Sequence, residues 1–170
     1  MTDYTLQPIP GKTLSRRLPE GTALVLEGGG LRGYYSCGVM EVFMEKDLLF
    51  PYIIGVSAGA ANALSYISGQ PGRSREIIEH YVGNPDYVST RNLLTKHTMF
   101  DFDYIFVTVP EKHIFFDWDK FHEQDTRFLT GAMNCADGKT VWFEKDTLKA
   151  PFMASRASCS VPLITKIQHY

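Results

Sequence analysis

The sequence lacks the features that mark several classes of protein. Its three cysteines, Cys37, Cys135 and Cys159, are too few and too far apart for a disulfide framework, and no C-x-x-C pair suggests zinc. No apolar run approaches the roughly 18 to 20 residues of a membrane span, and the polar N-terminus lacks the apolar core of a signal peptide. The net charge of −2 gives no basic field for nucleic acid. We therefore expect a cytoplasmic protein with no metal, no cofactor and no nucleic-acid partner.

The remaining composition predicts one globular domain after a short arm. Pro8, Pro10 and Pro19 exclude long regular structure from residues 1–20, so we expect a loose arm there. Residues 21–170 are long enough to bury a core. The chain is 44% hydrophobic and 21% charged, as is ordinary for a globular domain.

Strand and helix patterns alternate from residue 22 onward. Residues 22–26 and 52–56 are short apolar runs that predict buried strands. The order strand, glycine loop, helix, strand, tight turn, helix predicts an α/β fold in which helices cover a parallel sheet. Further patterns predict a helix carrying Tyr35, Val39, Val42 and Phe43, helices over 58–67, 73–83 and 149–158, and strands over 128–135 and 140–143 joined by an Asp137-Gly138 turn. The aromatic-rich segment 84–118 either fills the core, which we favour, or lines an apolar pocket.

A serine framed by two glycines follows the second strand. Gly55-Val56-Ser57-Ala58-Gly59 has the G-x-S-x-G pattern of a nucleophile elbow. Such a serine sits in a strained strand-to-helix turn, where larger flanking side chains would collide with the strand and the helix. We therefore predict that Ser57 is a nucleophile and that Gly55 and Gly59 support its turn.

A glycine loop follows the first strand. Its bare backbone N–H groups can stabilise a developing oxyanion, and Arg32 adds positive charge. The loop also satisfies the G-x-G-x-x-G pattern of dinucleotide-binding proteins. That alternative requires an acidic residue at the end of the next strand, whereas Asp47 precedes the strand. The predicted oxyanion or anion-binding residues are Gly28, Gly29, Gly30, Leu31, Arg32 and Gly33.

The general base cannot be chosen from the residues alone. A Ser-His-Asp enzyme could use His113, His122 or His169, but α/β-hydrolases place several strands before the elbow and only one precedes Ser57. The nucleotide-binding module stays a second alternative. A lipid-binding module without turnover is a third.

Three segments together resemble the patatin-like phospholipase family. They are the glycine loop Gly28–Gly33, the elbow Gly55–Gly59 and the segment 154–162, which is similar to the family's A-S-x-x-x-P turn. The resemblance covers about residues 22–164. It implies a three-layer α/β fold and hydrolysis of phospholipids or other acyl esters by a Ser-Asp dyad, with peripheral membrane contact.

The chain departs from this family in one respect. The resemblance places the dyad aspartate in an Asp-Gly-Gly or Asp-Gly-Ala motif beyond the A-S-x-x-x-P turn, and the sequence contains neither motif. Its Asp137-Gly138 pair predicts a hairpin turn instead of a base. We therefore expect a sheet that is incomplete at the C-terminal end, impaired catalysis, and self-association through the unfinished sheet edge.

Overall fold

A four-stranded sheet packed against helices forms the centre of the fold. The computed structural model describes residues 8–147 and 151–169. The strands are β1 (Arg16–Arg17), β2 (Ala23–Leu26), β3 (Leu48–Leu49), β4 (Tyr52–Val56), β5 (Arg127–Met133) and β6 (Thr140–Glu144). The helices are α1 (Tyr34–Glu45), α2 (Ala58–Ile67), α3 (Arg73–His80), α4 (Thr90–Lys96), α5 (Trp118–Glu123) and α6 (Pro151–Cys159). A π-helical segment spans Tyr104–His113, and short 3₁₀ turns span Gly30–Gly33 and Lys145–Thr147.

The sheet has the strand order β2-β4-β5-β6. Strands β2, β4 and β5 run parallel, and β6 runs antiparallel to β5. This arrangement confirms the predicted α/β fold with a parallel-type sheet. Because β2 and β4 are parallel neighbours, with Leu26 paired to Gly55, the segments that follow both strands leave the same edge of the sheet. The fold therefore places the glycine loop beside the elbow.

Helix α2 lies in the centre of the hydrophobic core. Four of its side chains are fully buried, and two of these are small enough to allow close approach to the sheet: Ala60, Ala63, Tyr66 and Ile67. Helix α1 packs beside it through Cys37, Met40 and Met44. The helix itself is confirmed, but Tyr35, Val39 and Val42, which carried the prediction, lie on its exposed side.

The aromatic-rich segment 84–118 folds mainly into the core. Phe102, Phe106 and Phe116 are each buried, whereas Phe115 is half exposed. The interpretation of this segment as a core layer is confirmed for these buried rings. The π-helical segment within it contains Pro110, and no sequence pattern predicted it.

Residues 8–20 are packed onto the domain instead of forming a loose arm. Leu14 is buried, and β1 pairs with β3. Lys12 N–H also donates to Gly69 O at 2.9 Å. The prolines restrict this segment to a two-residue strand, but the apolar Leu14 and the backbone hydrogen bonds attach it. Residues 1–7 of the predicted arm lie outside the described residues.

The C-terminal part forms a hairpin and a helix. Strands β5 and β6 pair around a turn in which Gly138 has φ +69°, which confirms the predicted Asp137-Gly138 turn. Helix α6 confirms the predicted helix over the part that the structure describes, and residues 149 and 150 lie outside it.

All helices in the described ranges are short. The 12 residues of α1 rise about 18 Å, at about 1.5 Å per residue, against a hydrocarbon layer of about 30 Å. Among the described residues, no helix has the length and apolar character needed to cross a bilayer.

Candidate active site

Ser57 occupies a strained turn between β4 and α2. Its backbone has φ 52° and ψ −126°, a conformation that residues other than glycine rarely adopt. Such a conformation costs about 1–3 kcal/mol and persists only where the surrounding structure holds it. The geometry is that of a strand-to-helix elbow, as the G-x-S-x-G pattern predicts.

The two elbow glycines fill positions where the backbone leaves no room for a side chain. A Cβ at Gly59 would lie 2.3 Å from Leu26 O, and a Cβ at Gly55 would lie 2.6 Å from Ala60 Cα. Because these neighbours are backbone atoms, they cannot move aside as a flexible side chain would. The glycines thus allow α2 to start directly against the ends of β2 and β4.

The glycine loop packs against the Ser57 side chain. A Cβ at Gly28 would lie 3.1 Å from Ser57 Cβ and 3.7 Å from Ser57 Oγ. Asn62 Nδ2 of α2 donates to Gly33 O at 3.1 Å and ties the far end of the loop to the same helix. The fold therefore fixes the loop beside the serine at both ends.

Several N–H groups of the loop have no acceptor recorded among the described residues. Within residues 8–147 and 151–169, no acceptor is recorded for the backbone N–H groups of Gly29, Gly30 and Leu31, whereas Arg32 N–H donates to Gly29 O at 3.2 Å. Gly30 has φ +55°, which favours glycine there. The side chains of Leu31 and Arg32 are exposed. The loop can therefore offer backbone donors to an incoming oxygen.

Ser158 is a site residue that the sequence did not reveal. Ser57 N–H donates to Ser158 Oγ at 2.6 Å, and Ser158 Oγ donates to Gly131 O at 2.6 Å. The hydroxyl thus connects the elbow to β5. Ser158 lies in the segment that resembles the A-S-x-x-x-P turn, but nothing in the pattern indicates a contact 101 positions away.

Cys159 is the second side chain beside the serine. Burial raises the pKa of the Cys159 thiol to about 12, and a hydrogen bond with Ser57 acts in the opposite direction. The thiol is therefore neutral near pH 7. Among the described residues, the side chains recorded in hydrogen bonds with Ser57 are those of Ser158 and Cys159, and neither is a carboxylate.

The histidines of the triad alternative have other neighbours. His113 packs against the rings of Tyr81 and Tyr104. His122 stacks on Trp118 with the ring centroids 6.3 Å apart. In the part of the chain that the structure describes, no contact of either histidine with Ser57 is recorded.

Two further candidates from the sequence lie apart from the elbow or at its margin. Asp47, the acidic residue weighed for dinucleotide binding, accepts hydrogen bonds from the backbone and side chain of Ser15. His169 lines a groove that also borders Val56 and Ser158.

This groove starts beside the elbow and runs over the β5–β6 hairpin. Its volume is about 1040 Å³. Val56 and Ser158 lie at the end next to Ser57, and Met133, Trp142 and Ile167 supply apolar surface farther away. Ligand sites commonly combine apolar walls with a few polar groups in this way.

Two comparisons relate this chain to known proteins. The family model described as patatin-like phospholipase matches residues 24–170. The uncharacterized protein YjjU of Escherichia coli (strain K12) is 33% identical over 102 residues, which are 59% of this chain and 29% of that protein. The chain spans less than a third of the length of this curated relative.

Proposed function

The chain belongs to the patatin-like phospholipase family, and from this premise we propose that it carries the nucleophile and the oxyanion site of a serine hydrolase that cleaves acyl esters of lipids. Ser57 is the nucleophile in this proposal. The observation that carries it is the close packing of Gly28 against Ser57, whose backbone is held at φ 52°. A Cβ placed on Gly28 would lie only 3.7 Å from Ser57 Oγ. A nucleophile and backbone donors are then adjacent, as acyl transfer requires.

The reaction proceeds through an acyl-enzyme. Ser57 Oγ attacks the ester carbonyl and loses its proton to a base, and the carbonyl oxygen becomes an oxyanion beside the N–H groups of Gly29, Gly30 and Leu31. Each such donor lowers the barrier by about 3–4 kcal/mol in comparable enzymes. Collapse of this intermediate expels the alcohol, which takes the proton, and water then releases the fatty acid.

The proposed base is an aspartate that is not among these 170 residues. The resemblance implies a Ser-Asp dyad, and the sequence has no Asp-Gly-Gly or Asp-Gly-Ala motif. The recorded side-chain partners of Ser57 within the described ranges are a hydroxyl and a neutral thiol, and neither is a useful base near pH 7. We accordingly expect residues 1–170 alone to turn over esters slowly.

The groove beside Val56 is the proposed site for the acyl chain. Its volume of about 1040 Å³ is at the upper end of ligand pockets, and its apolar wall includes Met133 and Trp142. Phospholipids and other acyl esters both fit this description. The proposal therefore specifies an acyl ester as the substrate, and the hydrolysis assay identifies which alcohol group it carries.

The exposed side of α1 supports peripheral contact with lipid. Leu31, Tyr35, Val39 and Val42 are exposed apolar residues, and Leu31 belongs to the glycine loop itself. A membrane surface that meets these residues would be next to the nucleophile. Replacing Tyr35 with glutamate should reduce co-sedimentation with phospholipid vesicles, and unchanged sedimentation would contradict this contact.

Self-association through a sheet edge stays a prediction. Strand β2 is at the edge of the four-stranded sheet, and its Val25 is 64% exposed. Light scattering after size exclusion should detect dimers or larger species that dissociate when Val25 is replaced with lysine. A strict monomer at high concentration would refute it.

Ester hydrolysis by the full gene product tests the function. The substrates are p-nitrophenyl esters of increasing chain length and a phospholipid, and Ser57→Ala should lower the rate by at least about 10³-fold. Ser15→Ala is the control for loss of a serine hydroxyl, because Ser15 Oγ donates to Asp47, which lies apart from the elbow and the groove. Loss of activity in His169→Ala equal to that in Ser57→Ala would favour the Ser-His alternative. Lipid binding without turnover by the folded protein would favour a binding module.

A further inference from the structure

A second, smaller cavity lies among the helices, and its described lining residues differ from those of the groove beside Ser57. Its volume is about 60 Å³, and helices α1, α2, α3 and α6 and the π-helical segment all contribute to its wall. The polar residues on the wall are Tyr34, Cys37, Asn62, Ser65, Arg73, Ser74 and Tyr87. No acidic residue is among the described residues that line it.

Arg73 is buried in this wall with part of its hydrogen-bonding capacity unused. Arg73 is only 4% exposed. Nε donates to Phe115 O at 3.3 Å, Nη1 to Ser65 Oγ at 2.9 Å and Nη2 to Ile114 O at 3.5 Å. A guanidinium has five N–H donors, so two have no acceptor recorded among the described residues.

The guanidinium also has no carboxylate partner within the described ranges. Burial lowers the pKa of Arg73 to about 10, which still leaves the group charged near pH 7. The ring of Phe116, 5.0 Å from the guanidinium carbon, offsets part of the charge. A buried charge without a counter-ion is costly, so an anion in the adjacent cavity would stabilise this arrangement.

Two phenol hydroxyls add further donors to the same cavity. No hydrogen bond of the Tyr34 or Tyr87 hydroxyl is recorded in the part of the chain that the structure describes. Burial raises the pKa of Tyr34 to about 12 and that of Tyr87 further, so both phenols keep their protons. Arginine and phenol donors facing one space, with no acidic side chain among them, favour an acceptor-rich ligand.

We propose that this cavity binds a compact oxyanion, a carboxylate or phosphate group, held by Arg73 together with Tyr34 and Tyr87. A cavity needs about 10–15 Å³ to hold one water molecule. The 60 Å³ of this cavity therefore accommodates the four or five heavy atoms of a small carboxylate or a phosphate. Its wall adjoins the glycine loop, because Asn62 donates to Gly33 O, but the proposal does not depend on the function proposed for Ser57.

Thermal unfolding in the presence of defined anions tests this site. The probes are sodium acetate, sodium octanoate and sodium phosphate, each compared with sodium chloride at equal ionic strength. Saturable binding to the folded state raises the unfolding temperature with ligand concentration. We expect at least one probe to give a saturable rise beyond chloride in the wild-type chain.

Variants of Arg73 and Arg75, both on α3, distinguish anion binding in the cavity from an effect of surface charge. Arg73→Met should weaken the apparent affinity at least tenfold. Arg75→Met removes an exposed arginine two positions along α3 and should leave the affinity unchanged. Tyr87→Phe keeps the ring and should weaken binding several-fold, so the test stands even where Arg73→Met fails to fold. Tyr104→Phe is its control, because the Tyr104 hydroxyl accepts from Asn84 at 3.0 Å outside the cavity.

The probes also identify the source of the anion. A preference for acetate over octanoate would assign a compact carboxylate, and a preference for phosphate would assign a phosphate group. The proposal is overturned by the absence of any saturable rise beyond chloride. Equal rises in the wild type and in both Arg73→Met and Tyr87→Phe would also overturn it.

Discussion

Removing the Ser158 hydroxyl should loosen the turn that holds Ser57. Ser158 Oγ accepts from Ser57 N–H at 2.6 Å and donates to Gly131 O at 2.6 Å. Ser158→Ala deletes both hydrogen bonds without adding volume. The strained backbone of Ser57 then loses a contact that holds it at φ 52°.

The expected cost follows from the groups left without partners. A hydrogen bond contributes about 0.5–1.5 kcal/mol net, and an unpaired buried donor or acceptor costs about 1–3 kcal/mol. The site is only partly buried, so water can reach some of it. We therefore expect Ser158→Ala to lower the free energy of unfolding by about 1–3 kcal/mol. Reaction of Ser57 with a fluorophosphonate should slow about tenfold or more, because a less well positioned serine that raises the activation free energy by about 1.4 kcal/mol reacts tenfold more slowly.

Urea unfolding and labelling rates measure the two effects. Ser160→Ala is the matched control, because it removes a hydroxyl two positions away that bonds back to Arg156 O at 2.9 Å. The control should stay within about 0.5 kcal/mol of the wild type. The reasoning fails if Ser158→Ala matches Ser160→Ala in both the unfolding midpoint and the labelling rate.

Three further predictions concern the elbow and the core. Gly59→Ala should lower the free energy of unfolding by about 3 kcal/mol or more, because its Cβ would meet Leu26 O at 2.3 Å. Gly38→Ala, in a helix with nothing within 4 Å of the new Cβ, should instead add about 0.5–1 kcal/mol; equal urea midpoints for the two variants would contradict the clash. Ser57→Gly should raise stability by about 1 kcal/mol while abolishing labelling, since glycine accepts φ 52° without strain; a less stable variant in urea unfolding would refute strain at Ser57. Burial raises the pKa of Cys37 to about 11, so its contribution to stability is fully present below about pH 9 and declines as the pH rises through 11. Cys37→Ala should flatten this decline in unfolding measured from pH 8 to 11, and an unchanged slope would contradict it.

Local patterns predicted the parts of the site that neighbouring residues determine. The runs Tyr52–Val56 and Ala58–Ile67 matched β4 and α2 because an apolar strand, a glycine-framed turn and a small-residue helix each have a short-range signature. Parallel pairing of β2 with β4 then followed from the strand–helix–strand order.

Other parts depend on contacts between distant residues. Ser158 reaches Ser57 across 101 positions, and Arg73 reaches Phe115 O across 42. No periodic sequence pattern predicts either contact. Helix α1 is apolar on two sides, so periodicity gave the helix but not which of Tyr35 or Met40 faces the core.

The intact mass of the protein after fluorophosphonate treatment tests the central claim most directly. In the full gene product we predict one adduct on Ser57, absent from Ser57→Ala. Residues 1–170 alone should react at least about 100-fold more slowly, because a general base contributes about 10²–10⁴-fold. A folded gene product that forms no adduct, or an adduct that survives Ser57→Ala, would contradict Ser57 as the nucleophile. Equal reactivity of residues 1–170 would contradict a base outside them.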